Sequence, residues 1–431
     1  MFPSHQDPII IGVGEIRQKK FTLENTLEPA ELILSAIRDA AKDTTVDVIN
    51  HVDSISVVPP WSWTYDDLPK HLAQKLGVHP SHLELSSHGG HTPALLCDAA
   101  AARVAAGETK LAVVTGGEAL ASLFACQKAG RLPPPGWTEM SPDAKLYGPS
   151  DPALLKDPLL MNAFNGVNLA AACIITSAEY ATKLGVPQDK WVYITGGAGS
   201  NDSSHFWERA NYFSSPAIEY SIDKALESAA LTKNEIDCFD FYSCFPIVPK
   251  LACKHVGLDV QKPAKPITLL GGLTSFGGAG NNYSLHAIAE MTRVIRSRKH
   301  QTGLVLANGG VLSWQHALCL SAQSRRNVST YVNREVLDNG DVSQGPAFTP
   351  TAQGEAVIET YTVDYDRKGP KLGHVIGRLV ENGQRFIANH GDEHTLATLV
   401  STNGEPIGMK GRVSRADDGR NLFTLSASAK L

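Results

Sequence analysis

The sequence predicts an α/β protein built from two tandem βαβαβ-type halves, followed by a small all-β barrel. Three observations carry that expectation. Continuous apolar runs alternate with helix-periodic stretches through residue 339, the signature of a sheet covered on both faces. Residues 340–354 (GDVSQGPAFTPTAQG) have the composition of a linker. Beyond them the pattern changes to short strand-like runs separated by turn dipeptides. The expected boundaries are 1–225 for the first half, with an inserted loop region at about 125–165, then 226–339, the linker 340–354 and the barrel 355–431.

Residues 8–13 are an apolar run closing on Gly12-Val13-Gly14, a buried strand entering a turn. Residues 29–41 open with Pro and Glu and carry apolar groups at helical spacing. A strand is expected at 52–58, a helix at 68–76, a short strand at 83–85, a small-residue helix at 92–106, and a buried strand at 111–115 before Gly116-Gly117. The stretch 125–165, with its Pro133-Pro134-Pro135-Gly136-Trp137, breaks the rhythm and reads as a lid or binding insertion. A second set follows: a helix from Ser215-Pro216 to about 230, a strand at 236–242, a helix at 282–297 and a strand at 303–307. Two such halves suggest an internal duplication. In the tail, strands are expected at 358–365, 373–379, 385–388, 396–400, 411–413 and 421–425, giving a barrel of OB-type topology.

A net charge of −5 and a pI near 6.3 give no electrostatic footprint for nucleic acid or an anionic membrane. No apolar run approaches the roughly 18 residues of a membrane span. The seven cysteines, odd in number and without CxxC spacing, read as reduced intracellular thiols. The first five residues lack the pattern of a secretory signal. Ala429-Lys430-Leu431 resembles the Ser-Lys-Leu address, so the expected location is peroxisomal, with the import receptor as a partner, and otherwise cytoplasmic. No dinucleotide fingerprint, Walker A sequence or Gly-x-Ser-x-Gly is present. His88 and His91 form a His-x-x-His pair without a third ligand at suitable spacing, so no metal is expected.

Four loops hold the polar residues most suited to chemistry: Ser86-Ser87-His88-Gly89-Gly90, Tyr242-Ser243-Cys244-Phe245, Gly277-Gly278-Ala279-Gly280 and Ala307-Asn308-Gly309-Gly310. They are joined by Gly116-Gly117-Glu118-Ala119, Ser215-Pro216-Ala217-Ile218, the run 239–246, His316-Ala317, Gly373-His374-Val375-Ile376-Gly377 and the run 385–389. Together, in order and over essentially the whole chain, these segments resemble the thiolase superfamily, and within it the thiolase-like proteins of type 1 that carry an additional C-terminal domain. The resemblance implies the five-layered thiolase fold and acyl-CoA chemistry. Thiolases use a nucleophilic cysteine at a helix N-terminus, a second cysteine as acid/base, a loop histidine and an oxyanion partner. Matched on Gly90, Ser87 takes the nucleophile's place, Gly278 that of the histidine, Tyr242 that of the Asn or His, and Ala307 that of the second cysteine.

The candidates then divide as follows. Ser87 is a nucleophile or hydrogen-bond donor to an acyl carbonyl, or else a helix N-cap or turn serine. His88 or His91 acts as base toward Ser87 or binds the thioester oxygen, or is a polar loop residue. Cys244 carries an acyl group or moves a proton, or is an inert buried thiol. Tyr242 offers its hydroxyl to an oxyanion or closes the pocket. His316 lies just past an emptied position; His286, inside a helix, reads as a core histidine. His91, Gly90, Gly278, Gly280, Asn281, Asn308 and Gly309 are the expected substrate-binding set.

The expected function is that of an acyltransferase or acyl hydrolase of lipid or biosynthetic metabolism. Its catalytic set is Ser87, His88, Tyr242, Cys244 and His316, with a coenzyme A thioester as substrate and no bound cofactor. The other reading is a catalytically silent acyl-CoA or lipid carrier of the same fold. A homodimer through the edge of the core sheet is the expectation from thiolase relatives.

Overall fold

The computed structural model describes residues 6–140, 165–325, 331–332, 334–338, 345–366 and 368–426. Most of the insertion (141–164) and Ala429-Lys430-Leu431 lie outside the described residues. The chain forms two compact units, Met1–Asn201 with Ser215–Asp338, and Asp202–Ser214 with Asn339–Leu431.

The first unit runs β1 (Pro8–Arg17), α1 (Pro29–Asp43), β2 (Ser54–Val58), α2 (Leu68–Leu76), β3 (His82–Leu85), α3 (Thr92–Ala105), β4 (Leu111–Ala119), α4 (Leu120–Lys128), β5 (Asn168–Ser177) and α5 (Ala178–Leu184). It continues with β6 (Val192–Asn201), α6 (Pro216–Ala229), β7 (Cys238–Phe241), α7 (Ile247–Val256), α8 (Leu273–Phe276), α9 (Tyr283–Arg296), β8 (Thr302–Gly309), β9 (Trp314–Ser321) and β10 (Arg334–Asp338). The sheet order is β3-β2-β4-β5-β1-β6-β9-β8-β7, with β10 beside β6. β5 is antiparallel to β4 and β1, β9 is antiparallel to β8 and β6, and the outer pairs are parallel. The order outward from the β1–β6 junction is therefore the same on both sides, less one outer strand.

Local sequence explains the layers. α1 starts on Pro29 and turns Leu32, Ile33, Ala36, Ile37 and Ala40 onto β1, β4 and β5. α6, capped by Ser215 through Ile218 N, covers β6 and β9 on the opposite outer face. α3 and α9 form the middle layer and pack against strands of both halves. α3 suits that place because Ala94, Ala100 and Ala101 leave little side chain between helix and sheets. The result is a five-layered α/β/α/β/α core whose apolar residues form three clusters, one of them around the middle helices.

The second unit is a closed barrel, β11 (Gly354–Asp366), β12 (Gly369–Leu379), β13 (Arg385–His390), α10 (Glu393–Leu399), β14 (Lys410–Arg415) and β15 (Asn421–Leu425). Its order β11-β12-β13-β15-β14, with β13 parallel to β15 and a helix between β13 and β14, is the OB arrangement. The strand expected at 396–400 is instead α10. Asp392 accepts from Thr395 N at 2.7 Å, and Leu396 and Leu399 are spaced for one helical face. Arg385, fully buried, pairs with Glu359 and donates to the carbonyls of Trp207, Arg209 and Ala210. That network makes 202–214 part of the barrel unit. No described helix is long and apolar enough to cross a membrane.

Candidate active site

The four loops meet in one place. The first leaves β3, ends on His91 and leads into α3. His91, not Ser87, occupies the N-cap position, and Thr92 Oγ1 closes the turn onto Gly89 O at 2.8 Å. The second leaves β7, and Tyr242 N donates to Leu306 O at 3.0 Å. The third precedes α9, and the fourth ends β8. A methyl group on Gly90 would overlap both the Tyr242 ring and the Asn308 carbonyl, and one on Gly309 would overlap His91 Nδ1. Only glycine permits these backbones to approach so closely. Tyr242 donates to Gly280 O at 3.4 Å, Cys244 donates to Asn308 Oδ1 at 2.8 Å, and Ser284 donates to Gly90 O at 3.4 Å.

The structure therefore brings together His91, Gly90, Tyr242, Cys244, Gly280, Asn308 and Gly309. Gly278 is buried within the third loop. His88 Nδ1 lies 3.0 Å from Asn281 Nδ2, which also donates to Pro59 O at 3.0 Å. Ser87 is exposed, and among the described residues no side chain lies within hydrogen-bond distance of its hydroxyl. The cap position of α3 belongs to His91, which leaves the turn-serine reading of Ser87 beside the functional one.

Burial keeps the site neutral. It pushes the Cys244 thiol up to about 12, although two backbone N–H groups pull the other way, and it raises the Tyr242 phenol further. Neither is an anion near neutral pH. Burial, and next the nearness of His316, brings His91 down to about 4, so its imidazole is uncharged. His91 packs on Trp314 with ring centroids 5.5 Å apart; its buried Nδ1 has no partner among the described residues. The Asn308 amide Nδ2 is likewise buried without a partner among them. A buried donor left open at a loop junction is what a ligand carbonyl satisfies.

His316 is fully buried, with Nε2 2.9 Å from Asp98 Oδ2, and Tyr331 donates to Asp98 Oδ1 at 2.5 Å. His286 is a core histidine, 2.5 Å from Glu15 and beneath Phe276. Glu118 sits behind the third loop. It accepts from the backbones of Trp61 and Ser62, and burial pushes its carboxyl up to about 7. A methyl group on Gly280 would overlap it. Sequence reasoning missed Asp98, Tyr331 and Trp314. The available signals were a lone charge in the small-residue run 92–102 and its spacing of seven residues from His91.

Residues 338–419 match the family model of the thiolase-like protein type 1 additional C-terminal domain. A monomeric SCP2-thiolase-like protein type 1 from Mycobacterium smegmatis is similar at 30% identity and a TM-score of 0.79, over 99% of this chain and 100% of that one. Human mitochondrial 3-ketoacyl-CoA thiolase in complex with CoA shares the fold at 13% identity and TM-score 0.55, over 75% of this chain and 100% of that one. The Ltp2–ChsH2(DUF35) aldolase does so at 16% and 0.52, over 75% and 99%. No curated protein matches the sequence significantly. The chain belongs to the SCP2-thiolase-like type 1 proteins of the thiolase superfamily.

Proposed function

We propose that this protein binds an acyl thioester such as an acyl-CoA at the junction of the four loops and transfers the acyl group directly to a bound acceptor. The observation that carries this is a neutral His91 at the junction of the four loops, its buried Nδ1 without a partner among the described residues, at a site whose serine and cysteine are both unactivated. The usual Cys/His/Cys set of a thiolase has no counterpart at Ser87, Gly278 and Ala307. His91 Nε2 takes the proton of the acceptor X–H as X attacks the thioester carbonyl. Asn308 Nδ2–H donates to the developing oxyanion, and the proton then passes to the departing thiolate. Acyl–S–CoA and X–H thus give acyl–X and CoA–SH, with no acyl-enzyme. Lipid or biosynthetic metabolism is the setting this chemistry suits.

The test is thiol release from acyl-CoA, with mass spectrometry of the protein. Turnover without an acyl adduct, reduced by about 100-fold or more in His91→Gln, is the expected result. An adduct on Ser87 or Cys244 would replace this mechanism with a covalent one. Tight binding with no thiol release would make the protein a carrier, the reading that the unactivated Ser87 and Cys244 favour.

Two further proposals accompany this one. Import into peroxisomes through Ala429-Lys430-Leu431 is tested by relocalisation of a fluorescent fusion when the tripeptide is removed. Self-association through β3, which exposes Leu83 and Leu85 at the sheet edge, is tested by sedimentation. The Mycobacterium smegmatis relative is described as monomeric, so a monomer at micromolar concentration would end that proposal.

A further inference from the structure

We infer that Asp98 is a positioning residue for His91, acting through His316: by holding the Nε2–H of His316 it decides which nitrogen of His91 carries the proton. This rests on the reading of His91 as the base and deepens it.

His91 and Asp98 lie seven residues apart along α3 and therefore on one face of the helix. Trp314 and His316 lie two apart on β9 and therefore on one face of the strand. His91 packs on Trp314, and Asp98 pairs with His316. The two stripes thus run alongside one another and set His91 next to His316.

Asp98 is fully buried, and each of its oxygens has a partner, Tyr331 on one and His316 on the other. Gly197 in β6 leaves the room this carboxylate needs, since any methyl there would overlap it. A carboxylate can only accept, so His316 carries a proton on Nε2, and in its singly protonated form it is an acceptor at Nδ1. That Nδ1 is buried without a partner among the described residues, and so is Nδ1 of His91. A proton on His91 Nδ1 satisfies both through one buried water, which transmits the same polarity. The lone pair of His91 then sits on Nε2, where a base is needed. Asn in place of Asp98 reverses the chain, because its amide can donate to His316 Nε2.

The experiment is 15N NMR of the full chain labelled in histidine, with the two rings assigned from His91→Gln and His316→Gln. In the unaltered protein near neutral pH, His316 should be protonated at Nε2 and His91 at Nδ1. In Asp98→Asn both should reverse, and kcat for thiol release should fall by about 10–100-fold with KM unchanged. Tyr331→Phe, which keeps the carboxylate, should preserve both tautomers. A proton on His91 Nε2 in the unaltered protein overturns the inference, even if Asp98→Asn does not fold. So does a folded Asp98→Asn protein with unchanged tautomers. The tautomers are read without substrate. Expected tautomers with no thiol release would therefore end the acyl-transfer reading and leave the role of Asp98 standing.

Discussion

His91 and His286 are both buried and both lie close behind a glycine-rich loop of the middle layer, yet their surroundings are opposite. His286 Nδ1 is 2.5 Å from Glu15, which also pairs with Arg293, and Phe276 covers its ring. His91 has no carboxylate partner, packs on Trp314, and is brought down to about 4. His286, held by Glu15 away from the loop junction, is a structural tie. A buried imidazole without such a partner is free to exchange a proton with a ligand. The two ends of the middle layer thus separate stability from chemistry, and substitutions at each should read out differently.

The largest expected effect on stability lies at Glu15. Burial alone would raise its carboxyl, but His286 and Arg293 together hold it down at about 2. A carboxyl lowered in the folded state adds stability above its unfolded value and loses it as pH falls toward the folded one. The pair should contribute about 3 kcal/mol at neutral pH, lost between roughly pH 4.5 and 2. Urea denaturation of Glu15→Gln should show about 3–5 kcal/mol lost at pH 7 and a flattened acid limb. An unchanged acid limb would remove the distinction between the two histidines.

A pH-linked effect of similar size and opposite sign is expected at Glu118, whose carboxyl burial raises to about 7. The folded state then binds the proton more tightly than the unfolded chain, so stability should decline as pH rises from roughly 4.5 to 7. Glu118→Gln should abolish that decline in pH-dependent denaturation curves. Gly90→Ala should cost about 1–3 kcal/mol by overpacking, because the added methyl meets the Tyr242 ring and a backbone carbonyl. It should also part the loops that carry His91 and Asn308. Retention of thiol release in that variant would show that the loop junction is not the reacting centre.

Much of this was legible in the chain. Three of the four loops are glycine-rich and announced themselves because Gly-Gly pairs beside strands and helices mark turns and close approaches. The barrel followed from its turn dipeptides, with only α10 misread, since Thr395–Leu399 is short enough to fit either period. Strands β5, β6 and β9 went unread. Ala170-Ala171-Ala172 and Gly196-Gly197-Ala198-Gly199 are poor strand formers by local preference, and they are strands because helices of the middle and outer layers need the space. Asp98 went unseen for a different reason. Its partners His316 and Tyr331 are 218 and 233 residues away, and no local pattern encodes such a pairing.

The smallest predicted effect concerns Ser87, whose position in the sequence invites the role of nucleophile. Its hydroxyl is exposed, has no base within hydrogen-bond distance among the described residues, and does not cap α3. An unassisted serine hydroxyl is a weak nucleophile near neutral pH. Ser87→Ala should therefore change thiol release by less than about twofold, and stability by less than about 0.5 kcal/mol as for other exposed sites. His91→Gln should lose turnover while remaining folded. A loss of tenfold or more in Ser87→Ala would return the chemistry to the serine and leave His91 a packing residue like His286.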